Sequence, residues 1–285
     1  MSRLGLAVHR FRPDALEVAG RVISWAATNG YEVVVDESDI ASLRSTAVLG
    51  GDVGDVDVLV SIGGDGTMLR SVHVLNGRVV PLIGVSLGQH GYLAVVEDDE
   101  VIEALDVWHN GTEGTEYHYD DRMLLEVSMW ANGARLSNHL AMNEVVIEKS
   151  EAGHTVRLGV DIDKAMFTTY AADGLILATP TGSTAYSMSA RGPILSPRLR
   201  AILMTPVSPH MLFDRSMVLD PQELVRIEIL GHRSVNVATD GELVHTLRPG
   251  DVVEVRAAQE VARFVRFKEQ RFHQTLKSKF GLSDR

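Results

Sequence analysis

Val58-Leu59-Val60-Ser61-Ile62-Gly63-Gly64-Asp65-Gly66-Thr67-Met68-Leu69-Arg70 is the stretch on which the reading of this chain turns. A strand over Val56–Ile62 runs into a glycine-rich turn, and helical spacing resumes from about Met68 to Leu75. Strand, glycine turn and helix together make a phosphate-binding arrangement. Glycines let the backbone approach a ligand closely, and the N–H groups and dipole at a helix start favour anions. The spacing is neither that of a P-loop nor that of a dinucleotide fingerprint. Asp65 is out of place in such a turn unless it takes a proton from an attacking hydroxyl or helps to hold Mg²⁺ against transferring phosphates. The same residues also suit a surface turn in which the aspartate caps the helix.

Outward from this turn, the amino-terminal part alternates strand and helix. Leu4–Val8 reads as a strand, and Leu16, Ala19, Val22, Ile23 and Ala26 lie at helical spacing after Pro13, closing at Asn29-Gly30. Tyr31–Val35 and Leu82–Val85 are further strands, and a helix is expected from Glu97 to Trp108. Alternating elements with apolar strands predict a parallel sheet covered on both faces. After about residue 114 the period becomes 2. Leu124–Trp130 and Ala134–Ile147 flank the hairpin signal Asn132-Gly133, and strands are expected at 156–162, 175–178, 224–230, 235–238 and 252–255. The expected organisation is an α/β domain over 1–115, a β-rich, sandwich-like domain over 116–262, and a basic, helical tail over 263–285 that docks back on the first domain. That tail carries Arg263, Arg266, Lys268, Arg271, Lys277, Lys279 and Arg285 against Glu269 and Asp284.

Composition narrows the function. The 285 residues carry 27 Lys plus Arg against 38 Asp plus Glu, a net charge of −11, which argues against nucleic acid as a partner. There is no cysteine, so disulfides, thiolate metal sites and cysteine nucleophiles are excluded. The first apolar run is broken by His9 and Arg10, too early for a signal-peptide core or a membrane span, and the expected location is the cytoplasm.

Two other stretches carry chemistry. Asp173 to Ala178 leads into Thr179-Pro180-Thr181-Gly182-Ser183-Thr184-Ala185-Tyr186, a hydroxyl-rich turn with one aromatic ring. It suits a ribose and a purine, or equally the capping of a helix beginning near Ser183. Asn143-Glu144 sits on an expected strand, where period 2 sends the amide and the carboxylate to opposite faces.

With these residues assembled, the chain resembles the NAD kinases over nearly its whole length. Gly63 to Thr67 matches the family's first motif, Asn143-Glu144 its second and Thr179 to Tyr186 its third; Gly88 to Leu93, Ser208 to His210 and Asp240-Gly241 match more weakly. The first motif is shared with diacylglycerol, sphingosine and 6-phosphofructokinases. The resemblance implies an NAD kinase-like fold and an enzyme that moves the γ-phosphoryl of ATP, or of another donor, to the 2′-hydroxyl of the adenosine ribose of NAD, making NADP. It implies Mg²⁺ or another divalent metal, small-molecule substrates, a homo-oligomer (dimer or tetramer) and no membrane or nucleic-acid partner. It makes Asp65 the catalytic base, and Gly63, Gly64, Gly66, Thr67 and Arg70 the phosphate contacts. It assigns to NAD the residues Asp65, Gly66, Asn143, Glu144, Asp173, Thr181, Thr184, Ala185, Tyr186 and Ser189.

Arg191 stands where the family usually has glycine, and His90, Met211 and Ser216 also depart from the pattern. Two rivals share parts of the pattern: a lipid kinase with the same glycine turn, and a sensor that binds NAD or NADP without catalysis.

Overall fold

The computed structural model describes residues 2–36, 43, 48–88, 91–268 and 272–282. Gln89 and His90 of the 88–93 motif, and Glu269, Arg271, Asp284 and Arg285 of the tail, lie outside the described residues. The chain forms two compact units, one of residues 1–121 with 262–285 and the other of residues 122–261.

In the first unit, β1 (Ser2–Val8), α1 (Pro13–Thr28), β2 (Tyr31–Val35), β3 (Val48–Gly50), β4 (Val58–Gly63), α2 (Asp65–Leu75), β5 (Leu82–Ser86), β6 (Val96–Glu97) and α3 (Val101–Asn110) follow one another. The strands are parallel in the order β3-β2-β1-β4-β5, with β6 beyond. Pro13 starts α1, whose Ala15, Val18, Ala19, Val22, Trp25 and Ala26 form a buried stripe at helical spacing. That stripe packs with Val101 and Leu105 of α3 on the sheet face made by Leu4, Leu6, Val58, Val60 and Ile62. The opposite face carries α2: the Ser71 hydroxyl donates to Ser61 Oγ at 3.0 Å, and a side chain at Gly84 would press on Met68. The sheet is thus covered on both sides, as the alternating pattern predicted. Two helix starts differ, besides shifts of one or two residues at other element ends. Helix α2 starts at Asp65, three residues before the helical spacing shows, because glycine is tolerated in a first turn; α3 starts at Val101, because Glu97 ends β6.

In the second unit, β7 (His118–Ala131, its first residues in unit one) pairs with β8 (Ala134–Ala141) across Asn132 and Gly133, both at positive φ. This is the primed turn that Asn-Gly announces. Next come β9 (Glu144–Lys149), β10 (Val156–Ile162), β11 (Ala165–Ala172), β12 (Gly174–Ala178), a single 3₁₀ turn Gly182–Thr184, α4 (Tyr186–Ser189), β13 (Ile202–Val207) and β14 (Met217–Leu219). The unit ends with β15 (Val225–Leu230), β16 (Val235–Thr239), β17 (Glu242–Leu247) and β18 (Val252–Arg266), whose last residues return to the first unit, followed there by α5 (Phe272–Lys279). One antiparallel sheet runs β14-β13-β12-β9-β16-β17, and β11-β10-β15-β18 are the strands that face it. Their inward residues, among them Val145, Ile147, Leu175, Leu177, Leu158, Val160, Ile227 and Val253, share one core, which makes the unit a sandwich.

The single strand expected over Ala134–Ile147 is two strands in different sheets, broken at Met142-Asn143. In the tail, Arg263 and Arg266 finish β18, and Phe264 pairs with Leu82 of β5.

Candidate active site

The order β3-β2-β1-β4-β5 reverses direction between β1 and β4, and open parallel sheets bind ligands at the carboxyl ends of strands at such a switch. There a cleft of about 600 Å³ lies, lined by His9, Arg10, Phe11 and Arg12 after β1, by Gly63 to Thr67 and Arg70 after β4, and by Leu87, Gly91 and Lys279. Within an acidic protein, Arg10, Arg12, Arg70 and Lys279 surround one carboxylate, Asp65, which gives the cleft the field that attracts an anion. A Cβ on Gly63 would lie 2.8 Å from Cβ of Thr67, so the turn cannot carry a side chain there. Gly64 and Gly66 face open space, so their backbone can meet a ligand directly. Arg70 anchors this wall by donating from Nη2 to the Val8 carbonyl at 2.6 Å, and the Arg12 guanidinium is shared with Asp14.

The Asp65 carboxylate is held by the loop opposite. Oδ2 accepts the Tyr92 N–H at 2.9 Å, while Oδ1 accepts those of Leu93 at 3.0 Å and Ala94 at 3.4 Å. The Leu93 carbonyl in turn accepts Nη1 of Arg266 at 2.8 Å. Arg266 is 1% exposed, is paired with Asp120 at 3.2 Å and lies over the Phe264 ring. Peptide 93 is therefore clamped between an acid on one side and a buried guanidinium on the other. Gly91 has no side chain because a Cβ there would sit 2.5 Å from Asp65 Cγ.

The second unit contains the other motifs. Asp240, in the left-handed region at φ 48° in the β16–β17 turn, accepts the N–H groups of Met142 at 2.7 Å, Asn143 at 2.7 Å and Glu144 at 3.0 Å. This is why the expected strand breaks: three consecutive amides turn toward one carboxylate. Asn143 accordingly lies in a turn and not on a strand, and its side-chain amide makes no hydrogen bond among the described residues. The Thr179 N–H donates to the Asn143 carbonyl at 2.9 Å and its hydroxyl to the Met142 carbonyl at 2.6 Å. A Cβ on Gly182 would lie 2.7 Å from Asn143 Cα. The second and third motifs thus touch through backbone.

The hydroxyls of the third motif are largely internal ties. Ser183 donates to the Pro180 carbonyl and accepts the Leu195 N–H, and Thr184 donates to the Thr181 carbonyl at 3.2 Å. Thr181 accepts a 3.4 Å hydrogen bond from Arg122, and Ser187 pairs with Thr205. The N-cap residues of the 3₁₀ turn and of α4 make no side-chain cap, but the Thr179 hydroxyl accepts the Gly182 N–H that opens the 3₁₀ turn at 3.1 Å, so a threonine of this segment does serve the helix start near Ser183. Ala185 is half-buried, and Tyr186 and Ser189 are exposed. Asp173 is ion-paired with Lys149 at 2.8 Å.

Glu144 stands apart electrostatically. It is 6% exposed; one carboxylate oxygen accepts the Tyr186 N–H, and Oε2 has no partner. Burial, reinforced by the negative charge of Asp240, pushes its pKa up to about 7. Burial, with Glu148, Asp173 and Glu144 adding to it, also raises the Tyr186 phenol and keeps it neutral.

The structure places every phosphate-contact residue predicted from the sequence on one cleft of the first unit. In the second unit the Asn143 carbonyl accepts the Thr179 N–H and the Glu144 carboxylate accepts the Tyr186 N–H, while Thr181 is bonded to Arg122 and Thr184. The sequence reading passed over Arg10, Arg12, Lys279 and Arg266 as site residues. Arg10 and Arg12 could have been found from strand order, since the end of β1 lies beside the end of β4.

The model of the ATP-NAD kinase amino-terminal domain matches residues 4–112 and that of the carboxy-terminal domain residues 142–267. NAD kinase of Syntrophotalea carbinolica is 35% identical over the full length of both chains, and that of Heliobacterium modesticaldum 34% over 98% of each. The crystal structure of yeast NADH kinase complexed with NADH is similar at a TM-score of 0.90 and 26% identity, covering all of this chain and 89% of that one. An Archaeoglobus fulgidus NAD kinase in complex with ATP shares the fold at a TM-score of 0.72 and 21% identity. A basic, glycine-floored cleft around one aspartate, a buried glutamate in a second unit and matches along both halves lead to one conclusion: the chain belongs to the NAD kinase family of phosphotransferases.

Proposed function

We infer that the chain transfers the γ-phosphoryl group of ATP, or of another phosphoryl donor, to the 2′-hydroxyl of the adenosine ribose of NAD, giving NADP. The observation that carries this reading is the cleft in which bare glycine backbone and four cations surround Asp65. The donor's phosphates lie along Gly63, Gly64, Gly66 and Thr67, with Arg70 beside them. Mg²⁺ arrives as part of the donor substrate, which agrees with its habit of binding through phosphates and few carboxylates. Among the described residues no group of three or more His, Cys, Asp or Glu could hold a metal ion.

A carboxylate offers about four lone-pair positions, of which three on Asp65 are filled by amides. The remaining one orients the ribose hydroxyl and takes its proton as the new O–P bond forms and the bond to the ADP oxygen breaks, in line. The acceptor lies against Asn143, Glu144, Asp173, Thr181, Thr184, Ala185, Tyr186 and Ser189, with Glu144 Oε2 accepting from a ligand hydroxyl that restores its missing hydrogen bond. The enzyme works in the cytoplasm as a homo-oligomer; among the described residues no helix is long and apolar enough to cross a membrane.

The test is NADP formation from ATP, Mg²⁺ and NAD by wild-type and Asp65→Asn protein. The variant is expected to lose about 10²- to 10⁴-fold in turnover. It also sets an NH₂ group against at least one of the three N–H donors, so its melting temperature is expected to fall. Near-normal turnover overturns the role of Asp65, and a folded wild type that forms no NADP with any donor overturns the reaction.

A further inference from the structure

We propose that Lys279, on the carboxy-terminal helix α5, binds the phosphates of the donor nucleotide and sets the enzyme's affinity for it. The inference rests on the reaction inferred above, and it concerns a segment outside both family-model matches, which end at residues 112 and 267.

Helix α5 contains no buried residue and has a polar average composition, so it is poorly explained as a packing element. It is nonetheless placed: the Phe272 ring lies 6.2 Å from that of Tyr92, and Nζ of Lys279 sits 4.7 Å over the same Tyr92 ring. Tyr92 is the residue whose backbone N–H holds Asp65. One residue therefore fixes the acid of the cleft through its main chain and a base of the cleft through its side chain. Lys279 lines the same cleft as Gly64, Gly66 and Thr67, and a Cβ on either glycine would meet open space.

The chemistry points to phosphate. Arg12, on the same wall, has its charge matched by Asp14. Lys279 is steadied by an uncharged ring, which directs the ammonium without neutralising it. A compact cation with three donors, held by an aromatic face in the cleft that contains the glycine turn, suits a triphosphate that carries several negative charges.

Lys279→Met, which keeps most of the stem and removes the charge, is the test. Its KM for ATP is expected to rise about tenfold while its KM for NAD moves less than about twofold, and Lys279→Arg is expected to recover most of the loss. Calorimetric binding of a non-hydrolysable ATP analogue should weaken by a similar factor, with a shallower dependence on salt. Unchanged ATP KM and unchanged analogue affinity in Lys279→Met overturn the proposal, as does a change confined to the KM for NAD. If the wild type forms no NADP, the inferred reaction falls, and the analogue titration still decides whether Lys279 holds nucleotide phosphates.

Discussion

A Cβ on Gly91 would fall 2.5 Å from Cγ of Asp65 and closer still to its Oδ1. Asp65 can swing aside only by giving up hydrogen bonds from the three amides, beginning one residue later, that hold its carboxylate. Gly91→Ala is therefore expected to reproduce much of the loss seen on changing Asp65 itself, about 10²-fold in turnover. The aspartate would still be present but displaced. The measurement is steady-state NADP formation alongside a melting curve; wild-type turnover in a folded Gly91→Ala protein would remove Gly91 from the account.

Asp240 plays a matching part in the second unit, where its carboxylate gathers the amides of residues 142–144. Asp240→Ala leaves three N–H groups without an acceptor, and each orphaned buried group costs about 1–3 kcal/mol. We expect a urea midpoint shifted by a few kcal/mol in total and a raised KM for NAD, because the Asn143-Glu144 turn loses its anchor. A variant as stable as the wild type would show that these amides find other partners.

The buried Glu144 gives stability a pH dependence. In the folded chain its pKa is about 7, against an ordinary value of 4.5, so between those values the folded state binds more protons than the unfolded one. Stability therefore falls as the pH rises from about 4.5 through 7, by on the order of 3 kcal/mol, and the loss is complete above that range. Glu144→Gln should flatten this slope and be the more stable protein at pH 8, with the advantage vanishing toward pH 5. Urea denaturation of both proteins across that range measures it; parallel curves would refute the assignment to Glu144.

Arg191, where the family usually has glycine, adopts φ 65° and is exposed. A side chain in that left-handed region costs roughly 1–2 kcal/mol, partly offset because glycine loses more entropy on folding. Arg191→Gly is expected to raise the melting temperature by roughly 1–3 °C. A lower melting temperature would mean that the arginine side chain contributes more than its backbone strain costs.

How far the sequence could be read depended on whether a feature was local. The glycine turn at 63–66, the helix opened by Pro13 and the Asn132-Gly133 hairpin each carry their cause within a few residues, and each appears as read. The break at Met142-Asn143 does not, because what turns those amides is a carboxylate almost a hundred residues later. Strands β11, β13, β14 and β17 escaped notice: β11 and β17 show half-exposed faces with no clean alternation, and β14 has three residues. Strand β18 was read only to Val255, since Ala257-Ala258-Gln259-Glu260 interrupts the apolar rhythm while the backbone continues to Arg266. In the third motif the hydroxyls looked available for a sugar, and most of them hold the loop to itself.

The first unit is not one continuous stretch of chain: residues 122–261 intervene before residues 262–285 complete it. During synthesis the sheet, the glycine turn and Asp65 leave the ribosome early, but Arg266, which clamps peptide 93, and Lys279, on the cleft wall, arrive only after the whole second unit has been made. A chain cut short between residue 262 and Lys279 would therefore carry every signature motif and still lack part of the cleft in which they act.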